Sequence, residues 1–223
     1  FKTYSNIYQT HAGTSSTGIQ GIKGIDFDDE GNLYVGVNYR DSNHFFRFIP
    51  EDGTLVIEQR EIDCFENFRN SSYFSNLDNI TIFNDKVFVS DDFRSPKELY
   101  SFSKENFNND LITIENITAY GFYNDLTYIS SIDIDKGGSL YALAGLKSNS
   151  GFHVALVKQE ISSIKSDNYN SIDIIIDDIN SKYNLGLTSA SYNFISDISV
   201  NDNSLFVSYA DLGDGLNYNR VLK

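Results

Sequence analysis

Tryptophan and methionine are absent from this 223-residue chain, cysteine occurs once and proline twice. The missing methionine, at position 1 as elsewhere, implies a trimmed chain, either a processed mature protein or an excised domain. Cys64 stands alone, so it forms no intrachain disulfide and gives no reading of redox compartment. Its neighbours Asp63 and Glu66 would raise a thiol pKa, which is the wrong setting for a nucleophile. No run of about 18 apolar residues exists, so no membrane-spanning helix is expected. A basic leader with an apolar core is missing too, so any signal peptide would already be gone. Positive charge is scarce: 17 Lys and Arg stand against 31 Asp and Glu, for a formal charge of −14. Phosphate binding needs clustered cations, which argues against nucleic acid and against an anionic membrane surface. Such acidity promotes solubility and fits an extracytoplasmic setting, whether secreted, periplasmic or cell-surface. No Gly-x-Ser-x-Gly elbow, phosphate-binding loop or dinucleotide fingerprint appears.

What the chain does have is a repeated hairpin. Gly24-Ile25-Asp26-Phe27-Asp28-Asp29-Glu30-Gly31-Asn32-Leu33-Tyr34-Val35-Gly36 reads as a strand, an acidic turn and a second strand. Alternating apolar residues on both sides of a Gly-containing turn are a hairpin signal. The pattern returns as Ile80–Phe83 with Val87–Val89, Ile132–Asp135 with Leu140–Leu143, and Ile198–Val200 with Leu205–Val207. Anchored on Leu33, Val87, Leu140 and Leu205, the repeats are offset by 54, 53 and 65 residues. Further strands are expected at 44–49, 55–58, 98–102, 111–114, 152–157, 172–176 and within 216–222. No sustained helical spacing occurs, so helices should be few and short.

A multi-strand unit recurring at about 40–50 residues, with loops lengthening it, is the mark of a β-propeller blade. The expectation is therefore an all-β β-propeller of four repeats of about 55 residues, with approximate units 1–53, 54–108, 109–168 and 169–223. The units could close as a four-blade ring or form an arc of a larger one, and an unclosed arc would leave apolar blade faces exposed.

The hairpin at 24–36 resembles a blade motif of the NHL, SMP-30/gluconolactonase and two-component-regulator propeller families, and residues 131–145 resemble it almost as well. Residues 78–91 and 196–210 fit more loosely. The resemblance implies architecture and is shared by propellers of many functions. Through the lactonase branch it also implies a divalent metal, such as calcium, at the channel mouth. Asp78, Asn79, Asp91, Asp197 and Asp211 are the residues positioned to hold one, although none matches a ligand of that family one by one and solvated loop carboxylates are the plainer reading. The regulator branch implies a sensor domain of a larger protein.

Taken alone, Asp26, Asp28 and Glu30 followed by Gly31 match half of an EF-hand loop, but Val37 stands where the bidentate Glu should be. An acidic turn on the solvent side is the plainer reading, and no cofactor is expected. His11, His44 and His153 form no ligand cluster and read as surface histidines. More informative are the connections at 63–78, 118–130 and 180–194, rich in Tyr, Asn and Ser. Tyr supplies broad, rigid contact area and Asn and Ser adaptable hydrogen bonds, as in many paratopes. The expectation is a non-enzymatic binding or scaffold module. A protein or carbohydrate would dock near Tyr73, Tyr123, Tyr183 and Tyr192, beside Asp78, Asp91, Asp92, Asp197 and Asp211. Packing of those rings over the blade ends is the competing reading, and a metal-dependent lactonase-like hydrolase the competing function.

Overall fold

The structure is a computed structural model. It describes residues 21–39, 42–51, 54–62, 77–91, 98–108, 111–112, 118–121, 126–148, 151–163, 172–185, 195–201, 204–211 and 218–223. The chain is all-β, built as several small, largely antiparallel sheets. The first sheet runs β1 (Gly21–Phe27), β2 (Leu33–Tyr39), β3 (Ser42–Glu51) and β4 (Thr54–Ile62), with β8 (Leu111–Ile112) added in parallel to β4. The second orders β5 (Leu77–Phe83), β6 (Lys86–Asp91), β7 (Glu98–Ser103) and β9 (Thr118–Gly121). The third orders β10 (Leu126–Ile134), β11 (Ser139–Ser148), β12 (Gly151–Glu160) and β13 (Asp173–Ile176). The fourth has β14 (Ile195–Asn201), β15 (Ser204–Asp211) and β16 (Tyr218–Leu222). A short helix, α1 (Ile179–Tyr183), follows β13. Among the described residues no helix is long and apolar enough to cross a membrane.

All four expected hairpins form, as β1–β2, β5–β6, β10–β11 and β14–β15. Their turns differ in chemistry. Gly31 and Gly138 take φ of 83° and 86°, the left-handed region in which a Cβ costs energy. Asn84, at φ 54°, holds the tighter turn between Phe83 and Lys86, a conformation Asn tolerates better than most residues.

Period-2 alternation gives every sheet two faces, and the sheets stack face to face in chain order. Ile80, Val87, Val89, Tyr100 and Phe102 of the second sheet pack on Tyr34 and Phe45 of the first. Ile132, Ile134, Leu140 and Ala142 of the third pack on Phe88 and Leu99 of the second. Ile198, Val207 and Tyr209 of the fourth pack on Leu143, Val154 and Leu156 of the third. The segment after β7 strengthens the first interface. Lys104–Asn108 is a 3-10 turn whose Phe107 is wholly buried, edge-on to Tyr34 at 5.4 Å and beneath the Arg47 guanidinium at 5.0 Å.

The first strand of each sheet lies innermost. β1 packs on β5, β5 on β10 and β10 on β14, and among the described residues no comparable packing joins β14 back to β1. The consequence shows on β1. Ile25 and Phe27 occupy the register of Ile80 and Ile82, yet each is 61% exposed, whereas Ile80 is 2% exposed.

Candidate functional site

The four inner strands enclose a groove. Its upper cavity, about 530 Å³, is lined by residues of β1, β5, β10 and β14, among them Asp26, Asn79, Asp133 and Asp197. A lower cavity of about 510 Å³ is lined by Asp28, Asp135, Lys136 and Asn201 among others. Asp26, Asp133 and Ser199 border both, so they mark the waist between the two. The waist arises from one register position repeated in four hairpins. Asp26, Thr81, Asp133 and Ser199 are each the polar residue within an otherwise apolar triplet of an inner strand.

At the waist these side chains bridge sheets. Asp26 Oδ2 accepts the backbone N–H of Ile82 at 2.6 Å, joining the first sheet to the second. Asp133 Oδ2 accepts the N–H of Val200 at 2.7 Å, joining the third to the fourth. Between them the Thr81 hydroxyl lies 3.1 Å from Asp26 Oδ2 and 3.0 Å from Asp133 Oδ1. One layer up, Asn79 donates to Ser131 at 2.9 Å, and Ser131 donates to Asp197 at 2.7 Å. Burial pushes the Asp26 and Asp133 carboxyls above the ordinary aspartate value, against the pull of the backbone N–H groups they accept.

Asp28 is the correction to the solvent-side reading of the first turn. It is buried, and Oδ1 accepts from the N–H groups of Glu30 at 3.1 Å and Asn32 at 2.9 Å. Oδ2 accepts from Asn32 Nδ2 at 3.0 Å, Tyr34 Oη at 3.2 Å and Lys104 Nζ at 3.3 Å. Burial pushes this carboxyl up, but the Asn32 and Lys104 donors outweigh it and hold the group below its ordinary value. The same burial pushes the Tyr34 hydroxyl up to about 12. Asp135 repeats the turn, accepting from Gly137 and Ser139 N–H at 2.9 Å each and from Tyr141 Oη at 3.3 Å. The half EF-hand pattern is thus a hairpin clasp whose oxygens face protein donors. Among the described residues no three His, Cys, Asp or Glu side chains are grouped to hold a metal ion.

The expected binding residues divide by what is described. Tyr73, Asp92, Tyr123 and Tyr192 lie outside the described residues. Asp78, Asp91 and Asp211 are placed by their strands alone: Asp78 near the start of β5, Asp91 and Asp211 at the ends of β6 and β15. Hairpin pairing puts those ends together at the upper rim, where β1, β5, β10 and β14 begin. Asp197 is there as well, exposed and bonded to Ser131. Of the five candidate metal-holding residues, Asn79 and Asp197 are brought together, with Ser131 between them. Tyr183 sits on α1, whose first turn is capped by Asp178 accepting from the N–H of Ser181 at 3.1 Å. Ile179 anchors that helix in the core at 1% exposed, and Tyr183 is turned outward at 42%.

Two further expectations are corrected. The stretch 118–130 is not a long connection, because β9 and β10 occupy it up to residues 122–125. His153 is not a surface histidine: it is buried, with Nε2 3.1 Å from Asp177 Oδ1. Sequence reasoning missed the bridging roles of Thr81 and Ser131. For Thr81 the signal available was the lone polar residue recurring inside four apolar triplets; Ser131, beside Ser130, lies outside that pattern.

No family model and no curated protein matches the chain. Among solved structures it is similar to the crystal structure of the major Malassezia sympodialis allergen Mala s 1. The similarity spans 91% of this chain and 76% of that one, at 12% sequence identity and a TM-score of 0.41.

Proposed function

We propose that the four sheets are successive β-propeller blades forming an arc, and that the chain is a non-enzymatic, extracytoplasmic binding scaffold. It engages a protein or carbohydrate at the upper rim, through Tyr183 and the neighbouring carboxylates. What carries this reading is the way the groove spends its polar groups. Asp26 is in contact with Phe27 N–H, Ile82 N–H and Thr81, and Asp133 with Ile134 N–H, Val200 N–H and Thr81. Carboxylates committed to holding sheets together have little capacity left to activate water or clasp a metal, so the groove serves as a frame. Recognition then falls to the acidic strand ends of the rim and to the outward Tyr183 ring on α1, which packs against β12. Such a rim suits neutral sugars stacking on tyrosine or basic peptides, and repels polyanions.

The test is a glycan array together with a panel of basic, neutral and acidic peptides, read with wild type and with Tyr183→Ala. Saturable binding that Tyr183→Ala weakens, with thermal stability unchanged, supports the scaffold reading. Binding of a basic peptide should also weaken as salt rises, since exposed charges are screened beyond about 8–10 Å at physiological ionic strength. Calcium-dependent hydrolysis of sugar lactones, lost in a folded Asp197→Asn variant, would replace this reading with a lactonase-like hydrolase.

A further inference from the structure

We propose that Asp26, Thr81 and Asp133 hold one proton in common beyond the hydroxyl's own, which makes the seam joining the first three sheets responsive to pH. The argument is a count of hydrogens. A threonine hydroxyl carries a single proton and can donate it to one acceptor. Thr81 Oγ1 nevertheless lies within hydrogen-bond distance of two carboxylate oxygens, 3.1 Å from Asp26 and 3.0 Å from Asp133. With both carboxylates ionised, one of those contacts would set lone pair against lone pair between half-buried oxygens. A proton on one carboxyl removes the conflict. That carboxyl donates to Thr81, and Thr81 donates onward to the other carboxylate. The opposite direction is equally well formed, so the proton belongs to the three groups together. Their remaining partners give Thr81 no proton: the Phe27 and Ile82 N–H groups already donate to Asp26, and those of Ile134 and Val200 to Asp133.

The surroundings favour keeping the proton. On β1 and its turn, Asp28 and Asp29 add negative charge, with Asp28 paired to Lys104. Across the groove stand Asp135 and Lys136 below and Asp197 above, while β5 lines it with the neutral Asn79 and Thr81 and carries Asp78 near its start, at the upper rim. Both waist carboxyls are shifted upward by burial, and each also feels a neighbouring carboxylate. Losing the proton would leave two charges around one hydroxyl in the place where β1, β5 and β10 meet. A carboxyl whose folded pKa is raised contributes stability below its unfolded pKa and loses it as pH rises through the folded value. The seam therefore tightens in acid and loosens above the release step.

The experiment is a pH titration of full-length protein carrying 13C-labelled Asp carboxyls, followed by NMR. The expected result is a two-step titration of the pair, with one carboxyl still protonated above the ordinary aspartate range. In Asp26→Asn the amide supplies a permanent donor to Thr81, so the late step should vanish and the loss of stability above it should disappear. Simultaneous titration of both carboxyls at or below the ordinary value in wild type would overturn the proposal. So would a late step that survives in both Asp26→Asn and Asp133→Asn. The wild-type titration decides the matter even if neither variant folds.

Discussion

The Tyr34 hydroxyl donates to Asp28 Oδ2 at 3.2 Å, closing the first hairpin from its buried side. Tyr141 and Asp135 repeat the bond at 3.3 Å in the third sheet, where the ring is only half-buried. Tyr34→Phe should therefore cost more than Tyr141→Phe: about 1–2 kcal/mol against about 0.5 kcal/mol, because a buried acceptor left short of a donor is dearer than one that water reaches. Urea unfolding of the two variants measures the difference.

Asp28→Ala removes the acceptor for five donors and strands the Lys104 ammonium. A loss of about 3–5 kcal/mol is expected, the scale for breaking a buried charged pair. The pH dependence has the opposite sign to that of the waist. The Asp28 carboxyl is held below its ordinary value, so its contribution is present above the unfolded pKa and is lost as pH falls through the folded one. Wild type should lose stability on strong acidification, and Asp28→Ala should lose less over the same interval.

At Gly24 the backbone of β1 lies close against β5. A Cβ added there would meet Ile80 Cγ2 and lie 2.6 Å from the Ile80 backbone nitrogen. Backbone cannot move aside as a side chain can, so Gly24→Ala should push the first two sheets apart, at about 1–3 kcal/mol. At Gly31, where nothing lies within 4 Å, alanine should cost only the backbone term of about 1–2 kcal/mol. Thermal melts supplemented by hydrogen exchange at Ile82 separate the two cases.

Within α1 the anchor and the display residue should behave oppositely. Ile179→Ala empties a core position and should destabilise by about 2–5 kcal/mol. Tyr183→Ala should stay within about 0.5 kcal/mol of wild type. A large loss of stability at Tyr183 would show that its ring packs, and would withdraw it from the binding rim.

Ile25 and Ile80 hold the same register in neighbouring sheets but differ in exposure, 61% against 2%. Ile80→Ala should cost about 2–5 kcal/mol, and Ile25→Ala less than about 1 kcal/mol. Equal costs would mean that the open face of β1 is covered in solution.

The hairpins were legible because their signal is local: Ile25, Phe27, Leu33 and Val35 alternate within one short stretch, and pairing follows from the turn. β9 was not, because Thr118–Gly121 offers two small residues and little alternation, and its pairing with Leu99 and Tyr100 is decided by the rest of the sheet. The buried clasp at Asp28 was half visible. Asp, Gly three residues on and Tyr six residues on recur at 28–34 and 135–141, but Lys104, which completes it, comes from a different sheet. The waist was the least legible. Thr81 and Ser199 look like ordinary strand polar residues until stacking brings them to the groove, and no local pattern encodes which N–H a carboxylate will find.

The second and third sheets each pack on the preceding sheet with one face and on the following sheet with the other. A duplicated segment would therefore arrive with both faces already matched to its neighbours. In such an architecture length is a variable of descent: units can be gained or lost at an end without redesign of those that stay, and stability accrues unit by unit through nearest-neighbour contacts. Among the described residues, the exposed face of β1 at Ile25 and Phe27 is the surface on which a further unit would pack.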